Sequence, residues 1–256
     1  MKTFALLALL ALTLTLAGCG GGDGGNEALE AAETHLLDAE SGEFSLTLEG
    51  EREGKEVGFT VEGAFEYPGG NDTYPAVDVT YSRRQGSEDS SNQFRSDGTA
   101  AWVFNGAAVT PVGLQQLQGL RDREGVAAAV PDLEFASWFD EVEREGNTFS
   151  GTVDIGELVG DLRRLAGEID GQQAPDTLDG DGAEQLEEAL RSSSIEVEVT
   201  DDDEFRSLTV VLDFGDEIPR ALDDVLVSYA SAKLELRVTL APLDGPLVVE
   251  TPGSGG

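Results

Sequence analysis

Apolar and polar residues alternate with a period of two through much of this 256-residue chain, and no other feature limits its fold as strongly. The segment VGFTVEGAFEY, residues 57–67, places its large apolar side chains on one face and Thr60, Glu62 and Glu66 on the other. A strand with one apolar face and one wet face is typical of an antiparallel sheet. The same alternation occurs at 43–51, 76–82, 195–199, 208–214 and 234–240.

Turn residues separate these predicted strands. Segments rich in Gly, Asn, Asp, Pro and Ser at 51–55, 68–75 and 83–91 predict turns. Asp97-Gly98 predicts a hairpin turn within 93–106, and the acidic segment 200–204 joins a second hairpin. The middle of the chain, by contrast, is predicted to consist of helices and loops around one strand at 147–155.

Helical spacing of apolar residues is confined to short segments. Leu29, Ala32 and Leu36 predict a helix over 27–40 that ends at Ser41-Gly42. Further helices are predicted at 112–121, 155–168 and 183–191. Because a one-sided sheet must cover its apolar face, helices this few and short leave room for an apolar cavity, although a completely filled core remains the alternative.

The N-terminus has the form of a secretory signal. Lys2 precedes an uncharged apolar run that is too short for a comfortable membrane span. The run ends in Leu-Ala-Gly-Cys at 16–19, which resembles a bacterial lipobox, and glycines follow. We therefore expect a signal peptide at 1–18, an acylated Cys19 with a flexible tether over 19–26, one domain over 27–252 and a disordered tail at 253–256. An ordinary signal peptide that happens to contain a cysteine is the alternative.

The charge of the chain restricts its partners. Acidic residues number 51 and basic residues 16, for a net charge of −35. Such a chain is a poor partner for nucleic acid, and an anionic membrane repels it. Membrane attachment is therefore expected through acyl groups on Cys19, palmitate among them, since two chains suffice for stable anchoring. Adaptation to salt or general solubility accounts for most of the acidity.

No catalytic, cofactor or metal motif is evident. With one histidine, His35, and one cysteine, the usual hydrolase constellations cannot be assembled. His35 is expected to be an ordinary residue on a helix face. The segment 177–188 partly fits an EF-hand loop, but Thr177 occupies the first ligand position, and Asp181 with Glu184 fits a helix N-cap. We expect no catalytic residue, no metal site and no cofactor, although a site of carboxylates alone stays open.

Together with the lipobox, the order of helix, long strands, helical middle and long strands resembles the LolA/LolB-like lipoproteins, especially the mycobacterial LppX/LprG group. The segments that carry the resemblance are FTVEGAFEYPGG, AVDVTYSRRQGS, RSDGTAAWVFNG, GTVDIGELVGDL, SIEVEVTDDDEFRSLTVVLDF and AKLELRVTLAPL. The resemblance implies a mainly β (α+β) fold, a curved antiparallel half-barrel with helices packed on its concave face. It also implies an apolar cavity for acyl chains and a role in moving lipids or lipidated molecules through the envelope.

On this interpretation the protein is not an enzyme. It binds a lipid or glycolipid on the outer face of the bacterial cytoplasmic membrane, and a membrane exporter is a further candidate partner. The alternative is an envelope lipoprotein with a filled core that acts as a protein-interaction or signalling module. The side chains expected to line the cavity are Phe59, Val61, Phe65, Val77, Val79, Leu158, Leu162, Leu208, Val210, Leu212, Leu234 and Leu236.

Overall fold

One antiparallel sheet forms most of the structure. The computed structural model describes residues 23–52, 54–67, 74–113, 134–161, 180–215 and 232–252. Within these ranges eleven strands pair in the order β6-β5-β4-β3-β2-β1-β11-β10-β9-β8-β7. The strands are β1 (Ser41–Arg52), β2 (Lys55–Glu66), β3 (Ala76–Gln85), β4 (Glu88–Asp97), β5 (Ala101–Asn105), β6 (Ala108–Val112), β7 (Phe139–Glu145), β8 (Thr148–Val153), β9 (Ser192–Val199), β10 (Phe205–Asp213) and β11 (Lys233–Ala241).

The first and last of these strands, β1 and β11, lie side by side at the centre of the sheet. β1 pairs with β11 from Glu43 opposite Ala241 to Glu51 opposite Lys233. Hairpins extend the sheet on both sides, so that β6 and β7 form its two edges. The sheet is therefore open, and the predicted mainly β fold, an antiparallel half-barrel with few helices, is confirmed.

Short helices accompany the sheet. The described ones are α1 (Asp23–Leu37), a 3-10 helix (Phe135–Trp138), α2 (residues 155–161) and α3 (Gly180–Ala189). In the described part of the chain, no helix is long and apolar enough to cross a bilayer. The helix predicted at 112–121 falls almost wholly outside the described residues, as do the last seven residues of the one predicted at 155–168.

The boundaries of α1 differ from those predicted. The helix begins at Asp23, inside the segment predicted as tether, and ends at Leu37. Ser41 and Gly42 do not end the helix; they open β1, where they pair with Glu66 and Phe65. Pairing with β2 therefore places in a strand the two residues that the local sequence predicts as the end of a helix.

The turn predicted at 83–91 is confirmed but is much shorter than expected, since it comprises only residues 86–87. β3 continues to Gln85 and β4 begins at Glu88, with Gly86 in the left-handed region at φ 64°. Arg83 pairs with Ser90 and Arg84 with Asp89, so the polar residues lie in the ladder. Cross-strand pairing extends both strands through a sequence without apolar alternation. The strand β7 was likewise missed within the segment expected to be helical or looped.

The hairpin predicted around Asp97 is confirmed. β4 ends at Asp97 and β5 begins at Ala101. The carboxylate of Asp97 accepts hydrogen bonds from the backbone N–H groups of Thr99 and Ala100, each at 2.8 Å. Burial, the largest single effect, raises the pKa of Asp97, but these bonds and the one from the Thr99 hydroxyl together outweigh it, so the pKa is lowered. Gly98 adopts φ 83°, which only glycine accepts without strain.

Candidate functional site

The apolar side chains of the strands share one face of the sheet. Directly opposed residues of antiparallel strands project to the same side. Val61 on β2 lies opposite Leu46 on β1 and Tyr81 on β3. Val210 on β10 lies opposite Leu236 on β11 and Ile195 on β9. One face is therefore apolar from β3 to β9, as the alternation predicts.

The buried side chains on this face form two clusters. The β8–β11 cluster includes Phe149, Ile195, Leu208, Val210 and Leu212, and Leu158 of α2 joins it. The β2–β5 cluster consists of Leu37, Val61, Phe65, Tyr74, Val77, Val79, Phe94 and Ala101. Phe59, half-buried, packs against both clusters.

The structure divides the predicted lining residues between these clusters. Val61, Phe65, Val77 and Val79 belong to the β2–β5 cluster. Leu158, Leu208, Val210, Leu212 and Leu234 belong to the β8–β11 cluster, and Leu236 packs against it. Leu162 lies outside the described residues. The helix predicted at 155–168 was expected to cover the strands of both clusters. Its residue Leu158 packs in the β8–β11 cluster and not with Val77 and Val79.

The described helices contribute unequally to the two clusters. The β8–β11 cluster receives Leu29 and Ala32 of α1, Phe135 and Trp138 of the 3-10 helix and Leu186 of α3. The β2–β5 cluster receives from the described helices one buried residue, Leu37 at the end of α1. Fewer buried residues of the described helices pack on the β2–β5 half of the face than on the β8–β11 half. The β2–β5 half is therefore the candidate site.

Two carboxylates, the buried Asp161 and the half-buried Glu33, hold the helices together over the β8–β11 half. Asp161 of α2, only 4% exposed, accepts a hydrogen bond from the indole Nε1–H of Trp138 at 2.8 Å and one from the backbone N–H of Glu134 at 3.3 Å. Glu33 of α1 accepts one from the backbone N–H of Ala136 at 2.9 Å. The 3-10 helix is thereby held to both α1 and α2. Motif analysis missed both carboxylates, because acidic residues are too abundant for any one to stand out.

Burial raises the pKa of Glu33 from its ordinary value of 4.5 to about 7. The hydrogen bond from Ala136 opposes this rise, whereas the charges of Glu134 and Glu30 add to it. Since the pKa is raised on folding, the associated stability is fully present below about pH 4.5 and is lost as the pH rises through about 7.

We expect Glu33→Gln to stabilise the protein at about pH 8 by about 1–2 kcal/mol, after allowance for partial solvent screening, and to have little effect at about pH 4. The amide oxygen can still accept the hydrogen bond from Ala136 without a buried charge. Urea unfolding at both pH values measures the difference, with Glu27→Gln, an exposed change on the same helix, as control. A difference that does not change between the two pH values would disprove the role of the Glu33 charge.

A polar cavity of about 660 Å³ lies where β1, β2, β3, β4 and β11 meet at one end of the sheet. Gly58, which has no side chain, lies in its wall. Most of the lining side chains belong to the polar face, so this cavity is not the expected apolar one. Its acidic residues are Glu49, Glu51, Glu56, Asp89 and Glu235, and its basic residues are Arg83, Arg84 and Lys233.

The structure also locates the residues considered for metal binding. His35 lies on α1, as expected, with Nε2 4.0 Å from a carboxylate oxygen of Glu204. Asp181 and Glu188 lie within α3, so the described part of 177–188 is a helix and Asp181 is not its N-cap. Among the described residues, no three His, Cys, Asp or Glu side chains are grouped closely enough to hold a metal ion.

Comparison with known proteins gives similarity in structure alone. No protein-family model matches the chain, and no curated protein matches its sequence. The crystal structure of LprF from Mycobacterium bovis is similar at 12% identity and a TM-score of 0.45, covering 89% of this chain and 96% of LprF. That of the Mycobacterium tuberculosis lipoprotein LppX is similar at 10% identity and a TM-score of 0.41, covering 88% and 97%. Both are members of the lipoprotein group that the sequence resembles.

Proposed function

We propose that this protein is a lipid-anchored envelope lipoprotein on the outer face of the bacterial cytoplasmic membrane. It binds the acyl chains of a lipid or glycolipid at the β2–β5 half of its apolar face and carries them across the envelope, with a membrane exporter as a further partner. The observation that supports this function is an apolar face continuous from β3 to β9, of which the described helices cover mainly the β8–β11 half. Anchoring through Cys19 is supported by the lipobox-like sequence before it.

Burial supplies the affinity in this proposal. Removing apolar surface from water stabilises a complex by about 25 cal/mol per Å². Affinity then grows with the length of the acyl chain. No covalent step is involved, which agrees with a function other than catalysis.

A second candidate function is supported by the burial of the predicted lining residues. Val61 and Val77 are each 1% exposed, and Phe65 and Val79 are each 2% exposed. Side chains so well covered also suit a filled core. In that case the domain binds a protein partner in the envelope rather than a lipid.

Adding volume at the apolar face tests the two functions. We expect Val61→Trp, in the β2–β5 cluster, to abolish lipid co-purification, because the indole fills the space of an acyl chain. Displacing lipid should lower the melting temperature little, whereas overpacking a filled core costs about 1–3 kcal/mol. Lipid extracted from the purified protein and the melting temperature are both measured.

The matched control is Glu62→Trp, one residue along β2 on the exposed polar face. It should retain lipid at the wild-type level. Val210→Trp makes the same change in the β8–β11 cluster. If the wild type carries no lipid and both buried tryptophans lower the melting temperature strongly, the filled-core function is correct.

A further inference from the structure

The apolar face of β3 and β4 ends in polar residues. Along β3, the residues that project to this face are Val77, Val79, Tyr81 and Arg83 in turn. Arg83 lies between Phe59 on β2 and Ser90 on β4. Phe59 packs against both apolar clusters, so Arg83, directly opposite it, projects to the apolar side.

The neighbouring arginine confirms this direction. Arg84 lies between Gly58 and Asp89 in the register. Its guanidinium is 3.1 Å from Glu56 and 3.5 Å from Asp89, both on the polar face. Successive residues of a strand point to opposite faces. The chain has 16 basic residues and 51 acidic ones, so Arg83 places one of relatively few cations on the apolar face.

Tyr81 and Asn92 continue this polar end of the face. Tyr81 lies between Val61 and Asn92 in the register, and its ring centroid is 6.2 Å from that of Phe59. The side-chain oxygen of Asn92 is buried and accepts no hydrogen bond within the described structure. The guanidinium of Arg83 donates to the side-chain oxygen of Gln85 at 3.1 Å, which holds it near the strand end. A buried amide oxygen without a donor is costly, and a ligand hydroxyl would satisfy it.

This face is therefore apolar at one end and polar at the other, as an amphiphilic ligand is. From Val77 to Arg83 it changes from aliphatic through aromatic to cationic over about 20 Å. That length exceeds the about 15 Å that acyl chains span in one leaflet of a bilayer. The polar cavity described above lies at the same end of these strands, mostly on the opposite face, and Phe59, Arg83 and Ser90 also contribute to its wall. Of the acidic residues there, Glu56 and Asp89 are paired with Arg84.

We propose that Arg83 and Asn92 bind the headgroup of an anionic lipid that also carries a hydroxyl group. Arg83 binds the phosphate or carboxylate, since a guanidinium forms paired hydrogen bonds with such groups. Asn92 accepts the hydroxyl hydrogen, and the acyl chains lie on the β2–β5 cluster. This assignment rests on the lipid-binding function proposed above and specifies the class of lipid.

Native mass spectrometry of the full chain, released from detergent micelles, tests the assignment. The protein is given an equimolar mixture of phosphatidylglycerol and phosphatidylcholine with identical acyl chains. We expect wild type to prefer phosphatidylglycerol by about tenfold and Arg83→Gln to lose that preference, as expected for loss of charge-assisted hydrogen bonds. Asn92→Ala should lower the preference by a smaller factor. Arg237→Gln, the same change at an exposed arginine on the polar face of β11, should leave it unchanged.

The outcomes separate this proposal from the function on which it rests. Binding of both lipids without preference, or equal loss of both in Arg83→Gln, overturns the headgroup assignment alone. Binding of neither lipid overturns both proposals. Glycerol 3-phosphate supplies the same anion without acyl chains, and saturable binding of it as tight as that of phosphatidylglycerol would overturn the assignment to a lipid. The melting temperature of each variant shows whether it is folded.

Discussion

Asp161→Ala is expected to lower the free energy of unfolding by about 3–4 kcal/mol. The carboxylate is 4% exposed and accepts hydrogen bonds from the Trp138 indole and the Glu134 backbone. Trp138 is itself 1% exposed, so its N–H would be left buried without this acceptor. The truncation also leaves a small void beside the 3-10 helix, which adds to the loss. Urea unfolding at constant pH measures the change.

Two further variants make this prediction specific. Asp161→Asn keeps an oxygen that can accept the indole N–H, and it should cost less than half as much as the alanine variant. Trp138→Phe removes the donor, so in its presence Asp161→Ala should cost clearly less than in wild type, a coupling that a double-mutant cycle measures. Equal costs of Asp161→Ala in the two backgrounds would disprove the proposed role of this hydrogen bond.

Cys19→Ala is expected to transfer nearly all of the protein from the membrane to the soluble fraction. Two acyl chains on one residue anchor a protein stably, because each buried methylene contributes about 0.8 kcal/mol. The net charge of −35 gives no alternative attraction to an anionic bilayer. Fractionation of cells that express the full chain, with the intact mass of the membrane-bound product, measures the effect.

The control for anchoring is Gly20→Ala, which changes the residue after Cys19 and leaves the Leu-Ala-Gly-Cys segment intact. It should stay in the membrane and carry the acyl mass. A wild-type protein that lacks this mass and fractionates like Cys19→Ala would show that the N-terminal segment is an ordinary signal.

The strands could be predicted where one face of the sheet is apolar and the other polar, because the sequence then alternates between the two kinds of residue. β2 and β10 alternate apolar and polar residues because one side packs and the other meets water, and both were expected. The ends of β3 and β4 carry Arg83, Arg84, Ser90 and Ser91, which show no such contrast, and they were predicted as a turn. Pairing with neighbouring strands stabilises these residues as strand, and that pairing is not visible locally. The polar end of the apolar face was missed for the same reason.

The candidate site was predictable in part. Alternation identified the face of Val61, Val77 and Val210 correctly, since a period of two fixes the side on which a residue lies. It could not show that Leu158 packs with Leu208 rather than with Val77, because the arrangement of helices over a sheet depends on long-range contacts. The carboxylates Glu33 and Asp161 acquire their roles from those same contacts.

The mass of the intact protein as it leaves the cell membrane tests the lipid-binding claim most directly. The full chain is purified in mild detergent and examined by native mass spectrometry, in which detergent is stripped away and bound lipid is retained. We predict a species that carries non-covalent lipid in addition to the acyl groups on Cys19, and the loss of that species in Val61→Trp but not in Glu62→Trp. Wild-type protein with the covalent anchor alone, together with a strongly lowered melting temperature in Val61→Trp, would contradict lipid binding.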